Sequence, residues 1–280
     1  GPQTSASLMP CPSEGEAKFE GSVYIADKTL IDEVWTARDY VSCIQYTESD
    51  VNALIGEFGS QFGRTTAYGF IGDASQAGGE SVAWRIMTSG EGASAVGTLC
   101  IAPNSVRGYT ASTNNAKMRA IDETAGGCAP WTGKGYAGGD GDGYSKMFSR
   151  VKVMKGVTAG ANLTYMFYGC TTLQDADLTN LTVGSATRSM HGMFSKCTAL
   201  RGAYTAQSQT ADNTATIPTG ARFSTLFNPT ASGFEAHFAF ADCSSLEEVL
   251  LQNVFTGTSP NLSSMFTRCA KLRTVTLNNV

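Results

Sequence analysis

One local pattern recurs along the last 135 or so residues, and it limits what the chain can fold into more than any other feature. Asn162 opens NLTYMFYGCTTLQDADLTNL, Ser189 opens SMHGMFSKCTALRGAYTAQ, Glu235 opens EAHFAFADCSSLEEVLLQNV, and Asn261 opens NLSSMFTRCAKLRTVTLNNV. The common frame is L-x-x-M-F-x-x-C-x-x-L-x-x-V-x-L-x-N-V. Met166, Met193 and Met265 share a column, with Ala239 in the same place. Phe167, Phe194, Phe240 and Phe266 follow, then Cys170, Cys197, Cys243 and Cys269, then Leu173, Leu200, Leu246 and Leu272. Ala176, Ala203, Val249 and Val275 stand three residues further on. Fixed-period self-similarity of this kind marks a chain built by stacking one small unit, because no single unit can bury its own apolar side.

The frame sets local expectations. Its Leu-x-x-Val-x-Leu end alternates with period two, so its Val and Leu columns should share one face of a short strand. Met-Phe-x-x-Cys has apolar spacing of three to four, which suits one helical or tight turn before that strand. Stacked strands should then form a parallel sheet, and a column of small apolar thiols suits its interior. The cysteines lie 27, 46 and 26 residues apart. The 46 is close to two units, so Arg222–Phe227 is expected to be a worn copy and Asn213–Gly220 an insertion. In KMFSRVKVMKGV, Val151 is expected in the cysteine column and Met154 in the leucine column.

The MF-x-x-C-x-x-L cores at Met166, Met193 and Met265 resemble those of the BspA-like leucine-rich repeat family of bacterial and protist surface proteins, over the C-terminal half only. Unit lengths of 19 to 27 residues and the insertion near Asn213 depart from a regular repeat. The resemblance implies secretion, adhesion and binding to host or matrix components, and no catalysis.

The N-terminal half carries no such frame. Residues 1–20 read as a flexible leader that begins with Gly1-Pro2, a protease scar, so any export signal removed before it would leave no trace. Val23–Ile25, Tyr40–Tyr46, Val82–Ile86 and Thr98–Ala102 have strand composition, and Thr47–Asp50 offers caps for a short helix carrying Val51, Leu54, Ile55 and Phe58. The expected fold class is therefore α+β. A mostly-β α+β domain over residues 21–145 is followed by a short, irregular leucine-rich-repeat solenoid with a parallel sheet over residues 146–280.

Composition excludes several functions. A formal net charge of -4 over 280 residues argues against nucleic acid or an anionic membrane as partner. No run of about 18 apolar residues exists for insertion into a bilayer. Asp140 and Asp142 sit in a glycine-rich stretch that lacks the other ligands of a calcium loop, and it reads as a hinge. The two histidines, His191 and His237, share a column that holds Thr164 and Ser263 in other copies; a metal pair is the sharp reading, a variable polar column the plain one. Cys11, Cys43, Cys100 and Cys128 allow disulfides in an exported protein, but no close cysteine pair suggests zinc. Asn162, Asn180 and Asn261 fall in N-x-S/T sequons that the frame itself explains.

No cofactor is expected. Trp131, Tyr136, Tyr144, Tyr165 and Tyr168 cluster where the halves meet and form the candidate ligand-binding set, since aromatic faces stack on sugar rings. The expected function is an extracellular or surface-displayed binding protein that recognises a host-surface glycan or an extracellular protein. A phage or fibre component is one alternative. An enzyme in the N-terminal half is the other, though no acid, base or nucleophile constellation supports it.

Overall fold

A computed structural model describes residues 64–89, 96–112, 115–124, 126–132, 144–205 and 218–279. The expected leader, the early strands and helix, Cys11, Cys43, Tyr136, Asp140 and Asp142 lie outside these residues. Among the described residues there are eleven strands: β1 (Arg64–Phe70), β2 (Val82–Ser89), β3 (Val96–Pro103), β4 (Ala116–Lys117), β5 (Arg150–Val153), β6 (Val157–Thr158), β7 (Asp175–Asp177), β8 (Gly202–Thr205), β9 (Ala221–Phe223), β10 (Glu248–Gln252) and β11 (Thr274–Asn278).

The α+β, leucine-rich-solenoid expectation is overturned. The described residues contain no α-helix, only two single 3-10 turns at Ala77–Gly79 and Ser105–Arg107. One mixed sheet of nine strands, in the order β1-β2-β3-β5-β7-β9-β8-β10-β11, runs through both halves of the chain. β1, β2 and β3 pair antiparallel, whereas β3 pairs parallel with β5, and every later pairing in the sheet is parallel. The Met-Phe-x-x-Cys segment is not a helical turn either. Each copy contains two residues of positive φ, Tyr165 and Gly169, Gly192 and Lys196, Phe238 and Asp242, and Ser264 and Arg268. A left-handed residue every four positions cannot continue an α-helix, so the apolar spacing of three to four is met by a run of tight turns.

These turns stack one on another. Leu163, Tyr165, Phe167 and Gly169 donate backbone N–H bonds of 2.7–2.9 Å to the carbonyls of Ser189, His191, Met193 and Ser195. Met190, Gly192, Phe194 and Lys196 donate to Glu235, His237, Ala239 and Ala241. Ala236, Phe238, Phe240 and Asp242 donate to Asn261, Ser263, Met265 and Thr267. All twelve bonds run one way, from each unit's N–H groups to the next unit's carbonyls. Within the stack the phenylalanine column forms a continuous aromatic file. Trp131 stacks on Phe167, Phe167 on Phe194, Phe194 on Phe240 and Phe240 on Phe266, with centroids 5.2–6.4 Å apart.

On the sheet side the interior column reads Leu99, Val151, Ala176, Ala221, Ala203, Val249, Val275. Val151 therefore belongs to the strand column, not to the cysteine column expected for it. Arg222–Phe227 is likewise not a worn Met-Phe copy. Its first residues lie in β9, which inserts between β7 and β8, out of chain order, while on the turn side Ser189 pairs directly with Glu235. The sheet side is thus wider than the turn side by one strand spacing, about 4.8 Å. Phe223 fills that wedge, 4.7 Å from Phe227 and edge-on to Phe194. Gly220 permits the close approach, because a Cβ there would lie 2.4 Å from the Gly202 carbonyl oxygen.

β9 is also held by charge on the outer face of the sheet. Arg222 reaches Asp175 with both Nε (3.0 Å to Oδ1) and Nη2 (2.7 Å to Oδ2), a forked geometry that suits a planar guanidinium. Lys152 on β5 lies 2.5 Å from Asp177, and Arg222 lies 3.8 Å from the same carboxylate. All four side chains are largely buried. Burial raises the Asp177 pKa, but hydrogen bonds from Lys152 and from the Thr179 hydroxyl and N–H outweigh it and hold the carboxyl below its ordinary value.

The cysteine column does more than fill space. Cys170 donates its thiol hydrogen to the carbonyl of Trp131, Cys197 to Phe167, Cys243 to Phe194 and Cys269 to Phe240, at 3.1–3.6 Å. Each is a free thiol bonded one unit back. Burial pushes the pKa values of Cys170, Cys197 and Cys243 well up. The last copy departs from the expected burial: Phe266, Cys269 and Leu272 are only partly buried, because among the described residues no further unit covers them. Thiolate is the reactive form. Native-state labelling with a maleimide is therefore expected to leave Cys170, Cys197 and Cys243 unmodified and to reach Cys269, and peptide mapping after the pulse checks the order.

Candidate functional site

The left-handed residue near the start of each turn and the residue before it form a pair of columns in the stack. In successive units this pair of columns holds Thr164-Tyr165, His191-Gly192, His237-Phe238 and Ser263-Ser264. Three units thereby place Tyr165, His191, His237 and Phe238 in one continuous strip. The Tyr165 and His191 rings are 4.8 Å apart, His191 and His237 meet edge-on at 3.7 Å, and Phe238 lies 5.9 and 5.7 Å from the two imidazoles. Phe238 is 38% exposed, unusual for a large apolar side chain in this fold. Gly192 makes the strip possible: it has a φ of +57°, and a Cβ there would lie 2.3 Å from the Tyr165 ring.

Polar groups thread the aromatic surface. The Tyr165 hydroxyl lies 2.7 Å from Nε2 of His191. Glu235 Oε2 lies 2.8 Å from Nδ1 of His237 and accepts a 2.8 Å bond from the Asn261 side-chain amide. Burial, and next the neighbouring His237, lower the His191 pKa, while burial and Glu123 raise that of Tyr165. Both shifts favour a neutral imidazole accepting from a protonated phenol. At one flank Tyr168 packs edge-on to Tyr165 at 5.3 Å, and the Lys196 ammonium sits 5.1 Å above the Tyr168 ring. Apolar ring faces, hydroxyl and imidazole groups, a carboxylate and an ammonium thus share one surface, a combination that binds polyhydroxylated rings by stacking and hydrogen bonding together.

The aromatic set expected from sequence is divided by the structure. Tyr165 belongs to the strip, and Tyr168 is buried beside it. Trp131 does not present a face at all: it is fully buried at the head of the phenylalanine file, and its indole N–H donates to the Met166 carbonyl at 2.9 Å. Tyr144 packs partly buried, 6.0 Å from Trp84. His191 and His237, read more plainly as a variable polar column, are brought ring to ring, and Phe238 and Lys196 were not expected at all. The shared column was the signal, but the worn copy expected at Arg222–Phe227 set another unit between the two histidines, and only the direct pairing of Ser189 with Glu235 brings them together. The metal reading gains nothing, since the described residues hold no group of three or more histidine, cysteine or acidic side chains placed to bind an ion. Cys100 and Cys128 are both buried.

No family model, no curated protein and no solved structure matches this chain.

Proposed function

We propose that the chain is a surface-displayed or secreted binding protein that engages a host-surface glycan through its turn-side strip. One observation carries the reading: Tyr165, His191, His237 and Phe238 form an unbroken, partly exposed aromatic surface across three stacked units. Aromatic anchors with adjacent hydrogen-bonding groups dominate recognition surfaces of this kind. The resemblance of the repeats to BspA-like surface proteins fits the same role, adhesion without catalysis.

The test is an array of immobilised glycans and matrix proteins probed with the intact chain, followed by titration of the best binder. Phe238→Ala and Tyr165→Ala are each expected to weaken binding about tenfold or more, as loss of an aromatic anchor does. Tyr144→Ala, remote from the strip, should leave it unchanged. Unaltered affinity in both strip variants, with their folding confirmed by thermal melts, would sink the reading.

A further inference from the structure

The chain has two histidines, and both lie in the strip. They form one polar line that crosses three turn units. The Tyr165 hydroxyl lies 2.7 Å from Nε2 of His191, the His191 ring meets the His237 ring edge-on at 3.7 Å, and Nδ1 of His237 lies 2.8 Å from Oε2 of Glu235. Asn261 closes the line, donating its side-chain amide to the same carboxylate oxygen at 2.8 Å. Tyr165, His191, Glu235 and His237 are each partly buried, so protons reach the line from solvent while packing removes part of its hydration.

Each link constrains where charge can sit. A carboxylate against Nδ1 repels a bare lone pair and attracts a proton there, so Glu235 favours charge on His237. A second charge on the pair would set two imidazolium rings in direct contact, which Coulomb repulsion opposes. Protonation also turns Nε2 of His191 from an acceptor into a donor, and the Tyr165 hydroxyl then loses the acceptor it has in the neutral ring. Four influences converge on His191. Burial and His237 oppose its charge, Glu123 and Glu235 favour it, and the first two prevail, so its pKa lies below the ordinary imidazole value of 6.5. At the flank, the Lys196 ammonium is engaged by Tyr168 and Asp242. With the two rings apart, the depression that His237 imposes on His191 is relieved. Proton uptake therefore favours separation: the ring contact is complete above about pH 6.5 and is lost as pH falls through the depressed value.

We infer that the two imidazoles form a proton-operated latch in the aromatic strip: neutral pH holds their rings together, and a second proton on the pair drives them apart, splits the strip between its second and third units, and releases a ligand stacked across it. Release of a glycan rests on the function proposed above; the latch itself does not.

Two imidazoles make the test direct, because their Cε1 proton resonances can be followed one by one in the intact chain, with His191→Asn and His237→Asn for assignment. Removing the neighbouring charge in His237→Asn should move the His191 midpoint upward. Overhauser contacts between the two rings should be present at pH 7.5 and absent at pH 5, while the amide spectrum stays that of the folded chain. On the glycan array, signal captured at pH 7.5 should fall at least about fivefold in a wash at pH 5.5, the lower end of coupling between two binding events. His191→Phe keeps a ring but takes no proton, so whatever it captures at pH 7.5 should be retained at pH 5.5. An unmoved His191 midpoint in His237→Asn, ring contacts that persist at pH 5, or equal retention by the unaltered chain at both pH values overturns the inference. If no array spot is bound at pH 7.5, the glycan reading falls, and the two resonance measurements decide the latch on their own.

Discussion

Replacing Phe194 with Ala should destabilise the protein by about 3–5 kcal/mol, the range for deleting a buried aromatic side chain. Phe194 is fully buried and stacks on Phe167 at 5.3 Å and on Phe240 at 5.2 Å, while its edge meets Phe223. It is therefore the ring at which the aromatic file and the β9 wedge join, and its loss leaves a cavity that neither neighbour can fill without breaking the twelve-bond turn ladder. Leu272→Ala is the comparison. Its side chain occupies the same kind of column but is only partly buried, so its cost should be about 1 kcal/mol, since less apolar area leaves water there. Urea melts of both variants check the pair. Equal losses would show that the file is not continuous and that burial in the last unit matches that in the middle.

The second large effect is expected at the outer-face ion pairs. Arg222→Leu should cost about 3 kcal/mol, because removing one member of a buried pair strands the charges that remain. Here Asp175 loses the forked guanidinium, its ion-pair partner, while Asp177 keeps Lys152. The damage should be local at first: β9 has no turn-side counterpart to hold it, so its amides should exchange faster than those of β7 and β10. Hydrogen exchange on the variant tests this, and unchanged protection in residues 221–223 would refute the idea that charge anchors the inserted strand. The wild type should show the related acid response. The folded pKa of Asp177 lies below its unfolded value of about 3.9. The stability this contributes is complete above the unfolded value and disappears as pH falls through the folded one. Acid unfolding should thus steepen below about pH 4, and Asp177→Asn should flatten that part of the curve.

The repeat frame was legible because stacking imposes it. Each column must present the same kind of side chain to the same neighbour, so Met166, Phe194, Cys197 and Leu246 announced themselves by position alone, and their burial follows. The strands at Val82–Ser89 and Val96–Pro103 were legible from their apolar, strand-forming composition, and residues on both of their faces are buried. The helical turn was misread because apolar spacing of three to four does not distinguish an α-helix from a tight turn whose φ changes sign. That sign is a backbone property, and Tyr165, Phe238 and Lys196 adopt positive φ despite having side chains that rarely favour it.

What the sequence determined by itself was the unit and its columns in the four copies that carry a cysteine. Three things were decided only by the tertiary structure. β9 entered the sheet out of order, because Arg222, Asp175 and Asp177 meet across strands 45 or more residues apart in sequence, a pairing no local pattern encodes. The two halves joined one mixed sheet, because the β3 edge offered β5 a parallel partner. The candidate site formed because stacking set Tyr165, His191, His237 and Phe238 side by side, while the same packing drew Trp131 into the core. A side chain's type is written in its codon, but its neighbours across a stack depend on which unit lies above it, and that is settled by hydrogen-bond register and burial together.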